Sequence, residues 1–316
     1  MSTTAEQRAV EFEELRPLLF SIAYRILSSV SDAEDVVQDA WLTFEQEPQV
    51  RSAKAFLSTV VTRTAINTLK SARVRREAYV GDWMPEPLLE DPYQDPQRSA
   101  ELADSLSMAA LLLLERLSPL ERAAYVLREV FAYDYAEIAT LLEREDAACR
   151  QLVARARRHM QTARTRFTAD RSQRDELAEH FFDALRAGDV DGLRRLLTDD
   201  AQLTGDSGGR APNLPHVVAG ADNVSRVAAS ALADVAEAGG TLDVVTINGQ
   251  PGGMLRDRDG RIVTVIALDI LDGGVQTVRA ITNPEKLAHL GEVTPTQPFV
   301  HELKSARRRR RGEGQS

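Results

Sequence analysis

The stretch from residue 117 to 160, LSPLERAAYVLREVFAYDYAEIATLLEREDAACRQLVARARRHM, restricts the fold more than any other part of the chain. Ser118 followed by Pro119 is a helix start, with serine as N-cap and proline at the first helical position. Tyr125, Val126 and Val130 give that helix an apolar face. Tyr135 to Leu142 reads as a short second helix with Ile138, Leu141 and Leu142 inward. Asp146 is placed to cap a third, along which Cys149, Val153, Ala156 and Met160 form the buried stripe. Arg150, Gln151, Ala154, Arg155, Arg157 and Arg158 lie off that stripe. A short helix, a tight turn and an arginine-studded helix make a helix-turn-helix layout, whose second helix enters the DNA major groove. A small bundle with a solvated basic face has a similar pattern, but turn, caps and arginines agree on nucleic acid.

The rest of the chain must be compatible with that element. Its 316 residues suggest two or three domains, and 43% hydrophobic with 28% charged residues is an ordinary globular composition. A formal net charge of −9 argues against non-specific coating of nucleic acid, so a DNA-binding role requires the positive charge to be local. It is local. Residues 51–76 hold Arg51, Lys54, Arg63, Lys70, Arg73, Arg75 and Arg76 and no acidic residue, whereas 86–104 hold Glu86, Glu90, Asp91, Asp95, Glu101 and Asp104 against Arg98. One cysteine excludes an intrachain disulfide and a cysteine-based zinc site, and no metal or other cofactor is expected. No secretory signal or membrane-length apolar run is visible, so no membrane partner is expected and a reducing cytoplasm is the default compartment.

Upstream, residues 10–47 read as two helices. Phe12, Leu15, Leu18, Leu19, Ile22, Ala23 and Ile26 stripe the first, and Ser31 is a good N-cap for the second. In that second helix Val36, Val37, Ala40, Trp41 and Phe44 fall opposite Asp32, Asp35, Gln38 and Asp39. Residues 52–77 form one long helix, apolar at Phe56, Leu57, Val60, Val61, Ala65, Ile66 and Leu69 and basic toward its end. That basic end can hold phosphates or merely answer the helix dipole.

DAEDVVQDAWL at 32–42, the basic helix at 52–77 and the 117–160 helices, in this order with an acidic linker between, resemble an extracytoplasmic-function sigma factor. The resemblance implies that the 32–45 helix binds RNA polymerase core through Asp35, Gln38 and Asp39. It implies that Arg63, Asn67, Lys70, Arg73, Arg75 and Arg76 meet the minus-10 element of promoter DNA, and Arg150, Gln151, Ala154 and Arg158 the minus-35 element. The connector YVGDWMPEPLLEDPYQDP has four prolines and no helical period. Its WMPEPL run, with Trp83, Pro85, Glu86 and Pro87, is similar to the tryptophan–leucine–proline–glutamate–proline signature of a subgroup that carries an extra C-terminal domain.

About 150 residues follow the sigma-like part. From 174 the chain has an amphipathic helix with Leu177, Phe181, Phe182 and Leu185, a turn at Gly188-Asp189 and a shorter helix. The segments 241–249, 252–257 and 261–282 alternate or run apolar between Gly and Asp/Asn turns, as in antiparallel hairpins. GDVDGLRRLLTDDAQLTGDSGG resembles the opening of a SnoaL-like domain of the nuclear-transport-factor-2-like superfamily, an α+β cone. That superfamily includes small-molecule isomerases and cyclases, so a catalytic cone with the helical half as a DNA-targeting module is the alternative, with Asp206, His216, Asp222, Asp243 and Asp269 as candidate bases. An unknown small-molecule ligand in the cone is left open. Asp206, Gly208, Gly209 and Arg210 resemble the subgroup's aspartate–glycine–basic motif, and Asn283, Pro284 and Lys286 its asparagine–proline–aspartate–lysine–leucine motif. The resemblance implies that these loops face the sigma core and linker and regulate them.

The expectation is therefore a multidomain chain: all-α sigma region 2 at 10–78, an acidic proline-rich linker at 79–104, a region 4 helix-turn-helix at 105–166, an α+β SnoaL-like regulatory domain at 172–291 and a disordered basic tail at 292–316. The resemblance implies that it directs transcription initiation and performs no covalent chemistry.

Overall fold

The protein is described from a computed structural model covering residues 5–47, 49–77, 79–95, 97, 99–164, 171–210, 217–271 and 273–313. Two compact units are present. One comprises 1–78 with 90–165, the other 79–89 with 166–316.

The first unit is helical. α1 (Ala5–Leu27), α2 (Val30–Gln46) and α3 (Ala53–Glu77) are followed by α4 (Ser99–Leu106), α5 (Met108–Leu114), α6 (Pro119–Tyr125), α7 (Tyr135–Leu142) and α8 (Asp146–Arg164). Leu19, Ile22 and Ile26 of α1, Val36, Val37 and Phe44 of α2, and Leu57, Val61 and Leu69 of α3 are buried together, which is the stripe-to-stripe packing the apolar spacing predicts. Ser118 caps α6 in a reciprocal box with Glu121, and Asp134 does the same for α7 with Glu137. Two expected caps differ. α2 is capped by Ser29, not Ser31, because the helix begins at Val30 and the Ser29 hydroxyl accepts from the Asp32 N–H. Asp146 is already inside α8, and its carboxylate accepts from Arg150 Nε at 2.5 Å.

The second unit is α+β. α9 (Arg171–Ala187) and α10 (Val190–Leu196) lead into β1 (Leu197–Asp206) and β2 (Val218–Ala219), then α11 (Ala221–Glu237), β3 (Thr241–Ile247), β4 (Gln250–Arg256), β5 (Ile262–Leu271), β6 (Gly274–Ile281), α12 (Pro284–Leu287) and α13 (Thr296–Glu313). The strand order is β2-β1-β6-β5-β4-β3. The hairpins are antiparallel as expected, but β1 pairs with β6 in parallel, so the sheet is mixed. Register shifts in β1, β4 and β5 mark bulges, which bend strands and give such a sheet its conical curvature. Phe181, Phe182 and Leu185 of α9 and Val224 and Leu232 of α11 fill the core with Leu203, Leu255, Ile266 and Val278 from the strands. Phe181 and Phe182 are fully buried and meet edge to face at 5.6 Å.

The C-terminal region departs from expectation. Disorder was expected from 292, yet Thr296–Glu313 is helical, with Phe299 and Ala306 buried. Arg309 and Arg310 do not repel one another into solvent, because Glu237 and Asp234 of α11 neutralise them at 2.8 and 2.9 Å.

Candidate functional site: cationic and acidic faces, and a clamped connector

Amphipathic α2 buries Val36, Val37 and Ala40 and leaves Asp35, Gln38 and Asp39 exposed. Trp41 is wedged beside Phe12 and Phe44, at ring distances of 5.0 and 6.4 Å, which fixes the roll of the helix and hence the direction of its acidic side.

The cationic residues of α3 fall into two groups. Asn67 and Lys70 are exposed. Arg63 is instead held by the C-terminal end of α7, donating to the Leu141 and Thr140 carbonyls at 2.8 and 3.0 Å and pairing with Glu143 at 2.7 Å. Those carbonyls belong to the last turn of α7, where Thr140 also accepts from the Glu143 N–H, and a guanidinium is a natural supplement to such a helix end. Arg76 is also turned inward, toward the Leu27 carbonyl at 2.7 Å and the Glu115 carboxylate. Burial lowers its pKa against the opposing pull of Glu115, the signature of a structural cation. The side chains of Arg73 and Arg75 lie outside the described residues.

On α8, Arg150, Gln151, Ala154 and Arg158 are exposed on one face. Arg150 stacks over Tyr135 at 4.4 Å while pairing with Asp146, which extends the guanidinium in a defined direction. Arg155 and Arg157 are committed elsewhere, to Glu121 and Glu129 at 2.8 and 2.7 Å. A buried polar network not foreseen from the sequence joins α1 to Asp91, near the end of the connector, and to α4. Arg25, fully buried, donates to Ser105, to the Leu102 carbonyl and to Asp91, each at 2.9 Å. Arg122 donates to the Arg25 carbonyl at 2.9 Å and pairs with Glu115. Burial alone would raise the Glu115 pKa, but Arg122 and Arg76 outweigh it and hold the carboxyl below its ordinary value.

In the second unit the three motif segments meet. Asp206, at the end of β1, has a fully buried carboxylate that accepts from the Tyr79 hydroxyl, from the Met84 N–H at 2.8 Å and from Lys286 Nζ at 2.6 Å. Lys286 also donates to the Met84 carbonyl, and its ammonium sits 4.4 Å from the Trp83 ring and 4.9 Å from the Tyr79 ring. Asn283 caps α12 and donates to the Tyr79 hydroxyl at 2.8 Å. Burial and Asp206 together push the Tyr79 phenol up, so it remains a donor.

The clamp continues along the connector. Thr204 donates to Asp82 at 2.5 Å, His289 bonds the Pro87 carbonyl at 2.7 Å, and Leu88 exchanges two hydrogen bonds with Asn248 in the β3–β4 turn. Residues Met84, Pro85, Glu86, Pro87 and Leu88 are buried. Prolines suit this role because an extended segment bound by few backbone donors has little conformational freedom to lose. Gly208 is required twice over: its φ is +56°, and a Cβ there would lie 2.5 Å from Asn283 Nδ2. Arg210 lies at the rim, in an exposed pair with Glu285.

The candidate bases are engaged elsewhere. Asp222 and Asp243 pair with Arg194 and Arg256, Asp269 pairs with Arg279 through Oδ2 while its buried Oδ1 has no hydrogen-bond partner among the described residues, Asp206 belongs to the clamp, and His216 lies outside the described residues. Among the described residues no group of acidic, histidine or cysteine side chains could hold a metal.

Known proteins share the two helical regions that carry the cationic and acidic faces. Residues 12–75 match Sigma-70 region 2, and residues 107–160 match Sigma-70, region 4. The chain is 36% identical over 289 residues to the ECF RNA polymerase sigma factor SigJ of Mycobacterium tuberculosis, covering 87% of this chain and 92% of that one. It is 30% identical over 281 residues to the probable ECF RNA polymerase sigma factor SigI of the same species, covering 86% and 92%. The crystal structure of Mycobacterium tuberculosis SigJ superposes with a TM-score of 0.68 at 33% identity, over 92% of this chain and 100% of that one. With two sigma regions in order, an α+β unit after them and this similarity along nearly the whole length, the chain belongs to the extracytoplasmic-function RNA polymerase sigma factors, initiation factors rather than enzymes.

Proposed function

We propose that this sigma factor brings RNA polymerase core to its promoters and that its C-terminal unit governs that activity from within the chain by holding the connector between the two DNA-binding halves. One observation carries the reading: the covalent link from region 2 to region 4 passes through residues 79–89, and Asp206, Lys286, Asn283 and Asn248 bind that link. While it is bound, the connector cannot extend, and the distance and orientation available to the two promoter-binding helices are restricted.

Within this reading the exposed acidic side of α2, with Asp35, Gln38 and Asp39, docks on the polymerase core. Asn67 and Lys70 on α3 serve the minus-10 element, and Arg150, Gln151, Ala154 and Arg158 on α8 serve the minus-35 element. Arg63 joins the minus-10 contacts only after leaving the carbonyls of α7 and Glu143. The work is done where polymerase is, in the cytoplasm; among the described residues no helix is long and apolar enough to cross a membrane.

The test is run-off transcription with purified core polymerase on a promoter library. Specific transcripts should depend on the chain, and deletion of 172–316 with 79–96 retained should change their yield strongly. A yield indistinguishable from that of the intact chain would remove the regulatory role from the C-terminal unit.

A further inference from the structure

Acidic side chains outnumber basic ones from residue 172 to 303, and the balance then reverses within one helix: 304–311 contains Lys304, Arg307 to Arg311 and no acid. α13 sorts these cations by direction. On its inner side Phe299 and Ala306 are buried, Arg309 donates to the Glu237 carboxylate and carbonyl at 2.8 and 3.3 Å, and Arg310 pairs with Asp234 at 2.9 Å. Lys304, Arg307 and Arg308 are exposed, and among the described residues none of the three has an ionic or hydrogen-bonding partner. We infer that this outer face of α13 is a docking surface for the phosphate backbone of duplex DNA, a third and sequence-independent contact in addition to those of α3 and α8. It holds whether or not the connector regulates the other two.

Spacing and anchoring set this face apart from a merely solvated run. Positions 304, 307 and 308 are neighbours on one helix surface, where like charges repel until an opposite charge meets them. Elsewhere in this unit guanidiniums are answered: Arg186, Arg194, Arg195, Arg256, Arg261 and Arg279 each pair with a carboxylate. The two arginines held by α11 fix the helix, so the three outer cations are presented at set spacing instead of on a loose chain. Arg258 and Arg309 line a cleft on the flank of α13 with His301 and Ser305, but their charge is already matched by Glu302 and Glu237. The cations available to a new partner are therefore Lys304, Arg307 and Arg308.

A regular polyanion is the partner this arrangement fits. Lysine and arginine offer only donors, and phosphate oxygens are their matching acceptors. An anionic membrane surface also carries phosphates, but an interfacial helix needs an apolar face free to enter the bilayer, and the apolar residues Phe299 and Ala306 are buried against the unit. A chain that belongs to the sigma factors meets duplex DNA whenever it works, and a few phosphate contacts prolong its stay there without specifying a site.

Fluorescence anisotropy of the full chain with a labelled non-promoter duplex, repeated from about 25 to about 200 mM salt, counts the phosphates neutralised. Lys304→Gln, Arg307→Gln and Arg308→Gln in one chain should lower the slope of log affinity against log salt by about 2–3, since each phosphate contact contributes about 0.9. Binding at the low-salt end should weaken at least about tenfold. Arg186→Gln, Arg194→Gln and Arg195→Gln in one chain remove the same charge from side chains already paired, and should leave the slope at the wild-type value. Should the α13 triple variant fail to fold, Arg307→Gln with Arg308→Gln carries the test, with a fall of about 2. Holoenzyme carrying the α13 variant should still prefer promoter over non-promoter duplex in competition, which separates this surface from those of α3 and α8. An unchanged slope in the α13 variant, an equal fall in the paired-arginine control, or loss of that preference overturns the proposal. Sedimentation with phosphatidylserine vesicles that needs the three cations, while the DNA slope does not, would assign the face to a lipid surface instead.

Discussion

Replacing Asp206 by alanine is the most informative single perturbation of this chain. The wild-type carboxylate accepts three hydrogen bonds, from Tyr79, Met84 and Lys286, and is fully buried. Removing one partner of a buried ion pair costs about 3–5 kcal/mol, because the other charge stays desolvated and unpaired. Lys286 would retain the Met84 carbonyl and the faces of Trp83 and Tyr79, and such ring contacts recover about 1–2 kcal/mol. The net expectation is about 1–4 kcal/mol against the docked connector. Undocking is local, since Asn248 and His289 hold only its far end. Hydrogen exchange of the 79–89 peptide by mass spectrometry reads this directly, because the Met84 and Leu88 amides are protected by Asp206 and Asn248. Met84 protection should fall by about one to three orders of magnitude, as about 1–4 kcal/mol implies. A double-mutant cycle with Lys286→Ala should give a coupling of about 0.5–3 kcal/mol. Exchange in Asp206→Ala equal to wild type would refute the view that this carboxylate anchors the connector.

Three further outcomes follow from the first unit. Arg150→Ala, which removes an exposed guanidinium aligned by Tyr135 and Asp146, should weaken promoter binding roughly tenfold or more with little change in melting temperature; equal binding in a mobility-shift titration would take α8's leading arginine out of the interface. Asp35→Lys combined with Gln38→Ala should abolish co-purification with core polymerase while leaving the helical circular dichroism intact, since both side chains are exposed. Glu115 has its pKa held below the ordinary 4.5, so its stabilisation is fully present above that pH and is lost as pH falls through the lower folded value. Acid titration of the full chain should show α1–α6 contacts weakening below about pH 4.5, and Glu115→Gln should flatten that dependence. An unchanged slope would mean that Arg76 and Arg122 are not what holds this carboxyl ionised.

The helical half was readable because its signals are local. Apolar residues at helical spacing, Ser118-Pro119 with Glu121 behind it, and DAEDVVQDAWL each depend on a few consecutive positions. The motifs WMPEPL, DSGGR and NPEKL were also visible one by one, but their meeting around Asp206 was not. The contacts Met84–Asp206 and Met84–Lys286 span 122 and 202 positions, and no periodicity encodes such a pairing. For Arg63 and Arg76 the packing was not legible. A cationic residue on a helix reads the same whether it faces solvent or a neighbouring carbonyl, and here both face carbonyls. The final helix was hidden by its arginine run, although Phe299, Leu303 and Ala306 keep a helical spacing beneath it. Helix α11 was missed because alanines and serines dominate it, leaving Val224, Leu232 and Val235 as its strongest marks.

The central claim is that capture of residues 79–89 sets the activity of the two DNA-binding halves. Initiation by the intact protein, Asp206→Asn, Asp206→Ala and Lys286→Met, measured as run-off transcript yield beside exchange protection of the Met84 amide in the same preparations, tests it most directly. Transcript yield should change in one direction in step with loss of protection across the series. A connector that is fully released while transcription stays at the wild-type level would contradict the account.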